Sequence, residues 1–218
     1  MGVVINPESL NDGISQKLIE SRPNSITVSF PSIHGEIFEK LCPMIPFEDA
    51  LKRTLELVDL SHGKVGLRIA GISTEINSDE QKEYVRFWKE RGIGADKTAC
   101  HGRGGNLEDS DIYKLKTVGL DSGRCGLFQF HTFVTWEADV LACCHDLTGA
   151  TRIGNLVCVD VSVIAERKQN ILKSPMPFSV CQQCDEPLRR YSPPQGPPPK
   201  NRKERTEFFR SINWNSLS

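Results

Sequence analysis

Two hydrophobic periods alternate along the first hundred residues. Over Pro7–Ser21 the apolar positions Leu10, Ile14, Leu18 and Ile19 recur at helical spacing, which predicts an amphipathic helix. Ser25–Phe30 (SITVSF) is a β-branched run between turn formers and predicts a strand. Phe47–Leu60 returns to the helical period, with Leu51, Leu55 and Val58 on one face. Lys64–Ile72 predicts a second strand, Asp79–Arg91 a helix capped by Ser78, and Gly94–Cys100 a short third strand. Strands alternating with helices imply a parallel sheet covered by helices. Three strands are too few to close a barrel, so the pattern predicts a portion of one, with an open edge near Ser25–Phe30.

After Cys100 the pattern changes. His101–Leu107 (HGRGGNL) is a glycine-rich loop whose backbone can approach a ligand closely. It lacks the P-loop lysine and the order of the dinucleotide fingerprint. Glu108–Arg124 reads as irregular and polar, Phe133–Cys143 as a hairpin, and Val161–Leu172 as a helix. From Tyr191 the prolines 193, 194, 197, 198 and 199, then the charge-mixed stretch Lys200–Arg205, predict an extended end, in which Phe208, Phe209 and Trp214 have no assigned place. The expected division is 1–107, 108–190 and 191–218.

Composition narrows the function classes. A chain of 218 residues with 38% hydrophobic and 25% charged positions suits one ordinary globular domain or two small ones. A net charge of −1 gives no field to recruit nucleic acid or an anionic membrane. No apolar run approaches the roughly 20 residues of a membrane span. Met1–Ile19, interrupted by Glu8, Asn11, Asp12 and Gln16, does not read as a secretory signal, so the expected compartment is the cytoplasm. His34, His62 and His131 read as surface or turn residues.

Eight cysteines without an export signal favour metal or redox chemistry over a disulfide framework, although an even count also suits four bridges. Cys42, Cys100 and Cys158 read as ordinary buried packing. Cys125, Cys143, Cys181 and Cys184 are different. In Cys181-Gln182-Gln183-Cys184 two sulfurs three positions apart reach one centre from a single turn, and the two remote thiols close its coordination sphere. Thiolates suit a [4Fe–4S] cluster and structural zinc alike, and His145 adds weight to zinc.

Cys125, the stretch Phe133–Asp146 (FVTWEADVLACCHD), Ile153-Gly154-Asn155-Leu156 and Cys181-x-x-Cys184 together resemble the SPASM domain, the auxiliary-cluster module of radical S-adenosylmethionine enzymes. Upstream, Ser25–Phe30, Gly66–Asn77 and the region through Arg103-Gly104-Gly105 resemble the fourth, fifth and sixth strands of that family's barrel. The resemblance implies an α/β chain: the C-terminal portion of a partial (β/α) TIM-like barrel, then a small cysteine-rich SPASM module with a β-hairpin and a helix. It implies one auxiliary [4Fe–4S] cluster on Cys125, Cys143, Cys181 and Cys184, with Cys143 preferred over its neighbour Cys144. It also implies that Ser29 and Arg68 face S-adenosylmethionine, at its ribose and its carboxylate.

The family's defining C-x-x-x-C-x-x-C triad is not among these residues; Cys42 stands alone before Cys100. The expectation is therefore a truncated member, with no catalytic residue of its own, that binds S-adenosylmethionine only when an N-terminal radical half completes it. That half or a redox partner, and a peptide or small-molecule substrate, are the expected partners. A non-catalytic zinc- or cluster-stapled binding module is the alternative.

Overall fold

A computed structural model describes residues 2–107, 110–114, 125–173 and 177–186. The proline-rich and basic end from Tyr191, with Phe208, Phe209 and Trp214, lies outside the described residues, as does most of Glu108–Arg124. The chain divides into two compact units, Met1–Cys100 and His101–Ser218. The glycine-rich loop goes with the second.

The first unit is built on four strands, β1 (Gly2–Ile5), β2 (Ser25–Ser29), β3 (Gly66–Ser73) and β4 (Gly94–Ala99). They pair in parallel in chain order. The sequence pattern foresaw three of them. β1 is four residues of GVVI, too short for its period to show, and it corrects the expected open edge. β2 is flanked by β1 and β3, so the outer strands of the described sheet are β1 and β4.

Helices α1 (Asp12–Glu20), α2 (Gly35–Leu41), α3 (Phe47–Ser61) and α4 (Gln81–Lys89) connect the strands. The expected helix from Pro7 is split: Pro7–Ser9 forms a 3₁₀ turn, and Asn11 caps α1 by accepting from the Ile14 N–H at 3.0 Å. Its predicted stripe is only partly used, since Leu10 and Ile19 are buried while Ile14 is exposed. Ser78 is not a cap; it opens a second 3₁₀ turn, Ser78–Glu80, which turns Glu80 inward ahead of α4.

Alternation along β2 and β3 sends Ile26, Val28 and Ile69 to the helix side, where they meet Leu10, Phe38, Leu57, Tyr84 and Trp88. Phe30 packs its ring 4.7 Å from Phe38 and 5.1 Å from Trp88. Each such side chain contributes roughly 1.5–3 kcal/mol by leaving water. Gly71 is required here, because a Cβ would lie 2.7 Å from Lys97 Cγ and 2.8 Å from the Tyr84 hydroxyl.

One charge pair is sealed in this unit. Lys97 Nζ lies 2.6 Å from Glu80 Oε1 with both side chains inaccessible, at 0% and 3% exposure. Ser32 Oγ donates to Glu80 at 2.8 Å and Lys97 donates to the Asn77 carbonyl at 3.1 Å. Burial pushes the Lys97 ammonium down, against the upward pull of Glu80. His34, read as a surface or turn residue, points its Nε2 at Glu80 (3.7 Å) and Glu83 (3.4 Å).

The second unit holds α5 (Gly126–Phe130), β5 (Phe133–Val134), β6 (Asp139–Leu141), β7 (Arg152–Asn155), α6 (Val161–Ile171) and α7 (Ser179–Gln182). The expected hairpin and helix are present. The hairpin gains β7, which makes a three-stranded antiparallel sheet ordered β5-β6-β7. Its core is small: Leu127, Phe128, Val140, Ala142, Ile153 and Ile164 beside Cys125 and Cys143. Trp136, in the β5–β6 turn, is 93% exposed. No helix among the described residues is long and apolar enough to cross a membrane.

Candidate metal centre

The four expected ligands come from three separate segments. Cys125 immediately precedes α5, Cys143 follows β6, Cys181 lies in α7, and Cys184 lies two residues beyond it. All four line one small cavity, together with Leu127, Phe128, Ala142 and Val180. Cys125, Cys143 and Cys184 are buried and Cys181 is half-buried. Sulfur donors in an apolar wall are a soft site; thiol-bound zinc and iron–sulfur clusters both fit that donor set.

Cys144 is not among the residues that line the cavity, although its donor atom lies within 4.8 Å of those of Cys143 and His145. It is exposed, and its Sγ stands 3.9 Å from His145 Nδ1. The hydrogen bond shared with Cys144, then burial, push the Cys143 thiol up, and the same shared bond lowers Cys144. Among the other thiols, Cys100 is buried as expected, and Cys42 is only half-buried, against the first unit's core. Cys158 is exposed, which corrects its reading as buried packing.

The glycine-rich loop seats the Cys181–Cys184 segment rather than standing open. Gly104 and Gly105 have φ of +68° and +89°, and a Cβ on either would collide with Val180 or Gln183. The Gly102 N–H donates to Asp185 Oδ1 at 2.6 Å, and the Tyr113 hydroxyl donates to Asp185 Oδ2 at 2.7 Å. His101 and His145 then meet Glu186: their Nε2 atoms lie 3.0 Å and 2.9 Å from its Oε2. The His145 carbonyl accepts from Asn106 Nδ2 at 2.6 Å.

Ser29 and Arg68 belong to the first unit. Ser29 ends β2 opposite Ala70, and Arg68 sits opposite Thr27, so both side chains lie on the sheet face away from the helices. Arg68 Nε donates to Thr27 Oγ1 at 3.2 Å and its Nη1 to Asp96 Oδ1 at 3.1 Å. The guanidinium is thus held along the sheet, half exposed, in a pair that adds little to stability.

No protein-family model matches the chain, and no curated protein matches its sequence. Solved structures do. A histidine-tagged anSMEcpe with bound AdoMet superposes with a TM-score of 0.58 at 12% identity over 99% of this chain and 70% of that one. The native form with bound AdoMet gives 0.58 at 12% identity, covering 99% and 73%. The form with AdoMet and Kp18Cys peptide gives 0.55 at 13% identity, covering 99% and 74%. The likeness is one of fold.

Residues that the sequence did not single out complete the picture. Asp185 and Glu186 directly follow Cys184, and a paired carboxylate after a two-thiol turn was the available signal. His101 opens the glycine loop, but nothing local in the sequence ties it to His145 or Glu186.

Proposed function

We propose that this chain is an iron–sulfur protein of the radical S-adenosylmethionine/SPASM class, with one auxiliary [4Fe–4S] cluster held by Cys125, Cys143, Cys181 and Cys184. The observation that carries this reading is the convergence of those four thiols on one apolar cavity. The fold likeness at TM-scores of 0.55–0.58 supports it. Bound there, the cluster would supply one-electron transfer or a structural clasp.

The protein's own residues do the rest. Leu127, Phe128, Ala142 and Val180 keep water from the sulfurs. Gly104 and Gly105 let the loop close on Val180 and Gln183. Asp185, gripped by Gly102 and Tyr113, fixes the end of the segment. Cys143 lines the cavity and is the ligand this reading assigns, with the more exposed Cys144 beside it as a neighbour or alternate ligand.

The C-x-x-x-C-x-x-C triad is not among these 218 residues, and cleavage of S-adenosylmethionine is not proposed for them. An N-terminal radical half, or a redox partner, would supply the chemistry for modification of a peptide or small-molecule substrate. Ser29 and Arg68 would then meet S-adenosylmethionine on the open face of the sheet. A cytoplasmic setting, which keeps thiols reduced, belongs to the same proposal.

Anaerobic reconstitution tests the reading. A brown protein with about four irons and four sulfides per chain is expected. Cys125→Ser and Cys184→Ser should each lose most of the iron, whereas Cys144→Ser should keep it. A colourless protein holding one zinc on these thiols would overturn it.

A further inference from the structure

Beside the thiol cavity, and chemically unlike it, three donors already converge. His101 Nε2 is 3.0 Å and His145 Nε2 is 2.9 Å from the same oxygen of Glu186. Their three donor atoms lie within 4.8 Å of one another. All three side chains are withdrawn from solvent, at 18%, 4% and 8% exposure. The two rings meet edge to face, with centroids 4.8 Å apart.

We infer that His101, His145 and Glu186 form a second metal site, for a divalent cation of borderline hardness with zinc as its natural probe. Two imidazoles and one carboxylate are a nitrogen–oxygen set, suited to zinc or ferrous iron and not to the soft ions that prefer thiolate alone. Around a tetrahedral ion with bonds of about 2.0–2.1 Å, neighbouring donors stand about 3.3 Å apart. Both nitrogen–oxygen separations are within a few tenths of an ångström of that spacing.

The surroundings hold the donors where they are. Asn106 grips the carbonyl of His145. Gly102, next to His101, is tied to Asp185, next to Glu186, so two of the three ligand segments are stapled at the adjoining residue. On the far side of His145, Nδ1 faces the Cys144 sulfur at 3.9 Å, the outer partner that orients a ligating imidazole.

Ligation through Nε2 places the proton of each neutral ring on Nδ1. At His145 that proton turns toward the Cys144 sulfur. At His101 it gives up a long 3.3 Å bond from the Arg103 N–H. A neutral bond of that kind contributes about 1 kcal/mol.

This site does not depend on what the four thiols hold, and the experiment separates the two. The full chain, reconstituted anaerobically with iron and sulfide, is titrated with zinc by calorimetry, and its metals are then counted. One zinc per chain is expected, in addition to the iron. His101→Ala and Glu186→Gln should each weaken zinc binding by more than about 100-fold, beyond the loss that outer-shell changes give. Iron content should stay the same in both. Glu186→Gln keeps an acceptor oxygen for the two rings, so it decides the matter if His101→Ala folds poorly. No zinc uptake, or uptake equal in the Glu186→Gln variant, would each overturn the inference.

Discussion

Lys97 sits on a central-facing position of β4 with no access to water, and its charge is tolerated only because Glu80 meets it at 2.6 Å. Removing one partner of such a pair leaves the other as an uncompensated buried charge. Lys97→Met should therefore cost about 3–5 kcal/mol, and adding Glu80→Gln should recover part of that loss. Urea unfolding followed by circular dichroism reads both, and equal losses in the single and double variants would sink the pairing argument. A second residue-scale expectation concerns Gly104. Its φ of +68° and its closeness to Val180 leave no space for a methyl group. Gly104→Ala should cost about 1–3 kcal/mol from backbone strain alone and loosen the seat of Cys181 and Cys184. Reduced iron retention after desalting is the readout. At this scale the sequence showed the four thiols, because cysteine spacing is local chemistry. It hid Glu80 in what reads as a solvated first turn, and it hid His101 and Glu186, whose meeting depends on a fold no short window encodes.

Elements were legible in proportion to their length. α3 runs Phe47–Ser61, long enough for its apolar period to fix it within a residue of the expected end. β1 and α2 were missed, at four and seven residues, because so few positions cannot establish a period. α6 shows what local chemistry adds: its Asp160 cap accepts from the Ser162 N–H at 2.8 Å. That bond holds the Asp160 carboxyl below its ordinary value of 3.8. The folded form is the one with the lowered pKa, so the cap's contribution is fully present above about pH 4 and is lost as pH falls through the folded value. Asp160→Asn keeps a good cap without the titration. It should flatten the acid limb of the unfolding profile while leaving neutral-pH stability nearly unchanged; an unaltered acid limb would rule the cap out as its source.

The described residues form two hydrophobic cores of unequal size. The first unit buries Leu10, Phe30, Phe38, Leu57, Tyr84 and Trp88 beneath a four-stranded sheet. The second buries a smaller set around two of its candidate ligands, Cys125 and Cys143. A metal bridging three segments, as proposed, would then be a large part of what folds the second unit. Chelation or oxidative loss of the metal should lower the unfolding transition of the second unit by many degrees and leave that of the first in place. A single transition that shifts as a whole would contradict this. At the same scale, the alternation of strands and helices was enough to expect a parallel sheet, and a fold likeness covering 99% of the chain at 12% identity agrees with reading patterns rather than residues.

The two described tryptophans stand in opposite surroundings. Trp88 is sealed at 0% exposure in the first unit, and Trp136 is 93% exposed in the second. Their emission should differ accordingly, blue-shifted for Trp88 and red-shifted for Trp136. In a Trp214→Phe background the protein would report on each unit by its own colour. A cluster at the thiols would absorb across both bands and quench the nearer indole more strongly, so the same spectrum would follow metal loading without an added label.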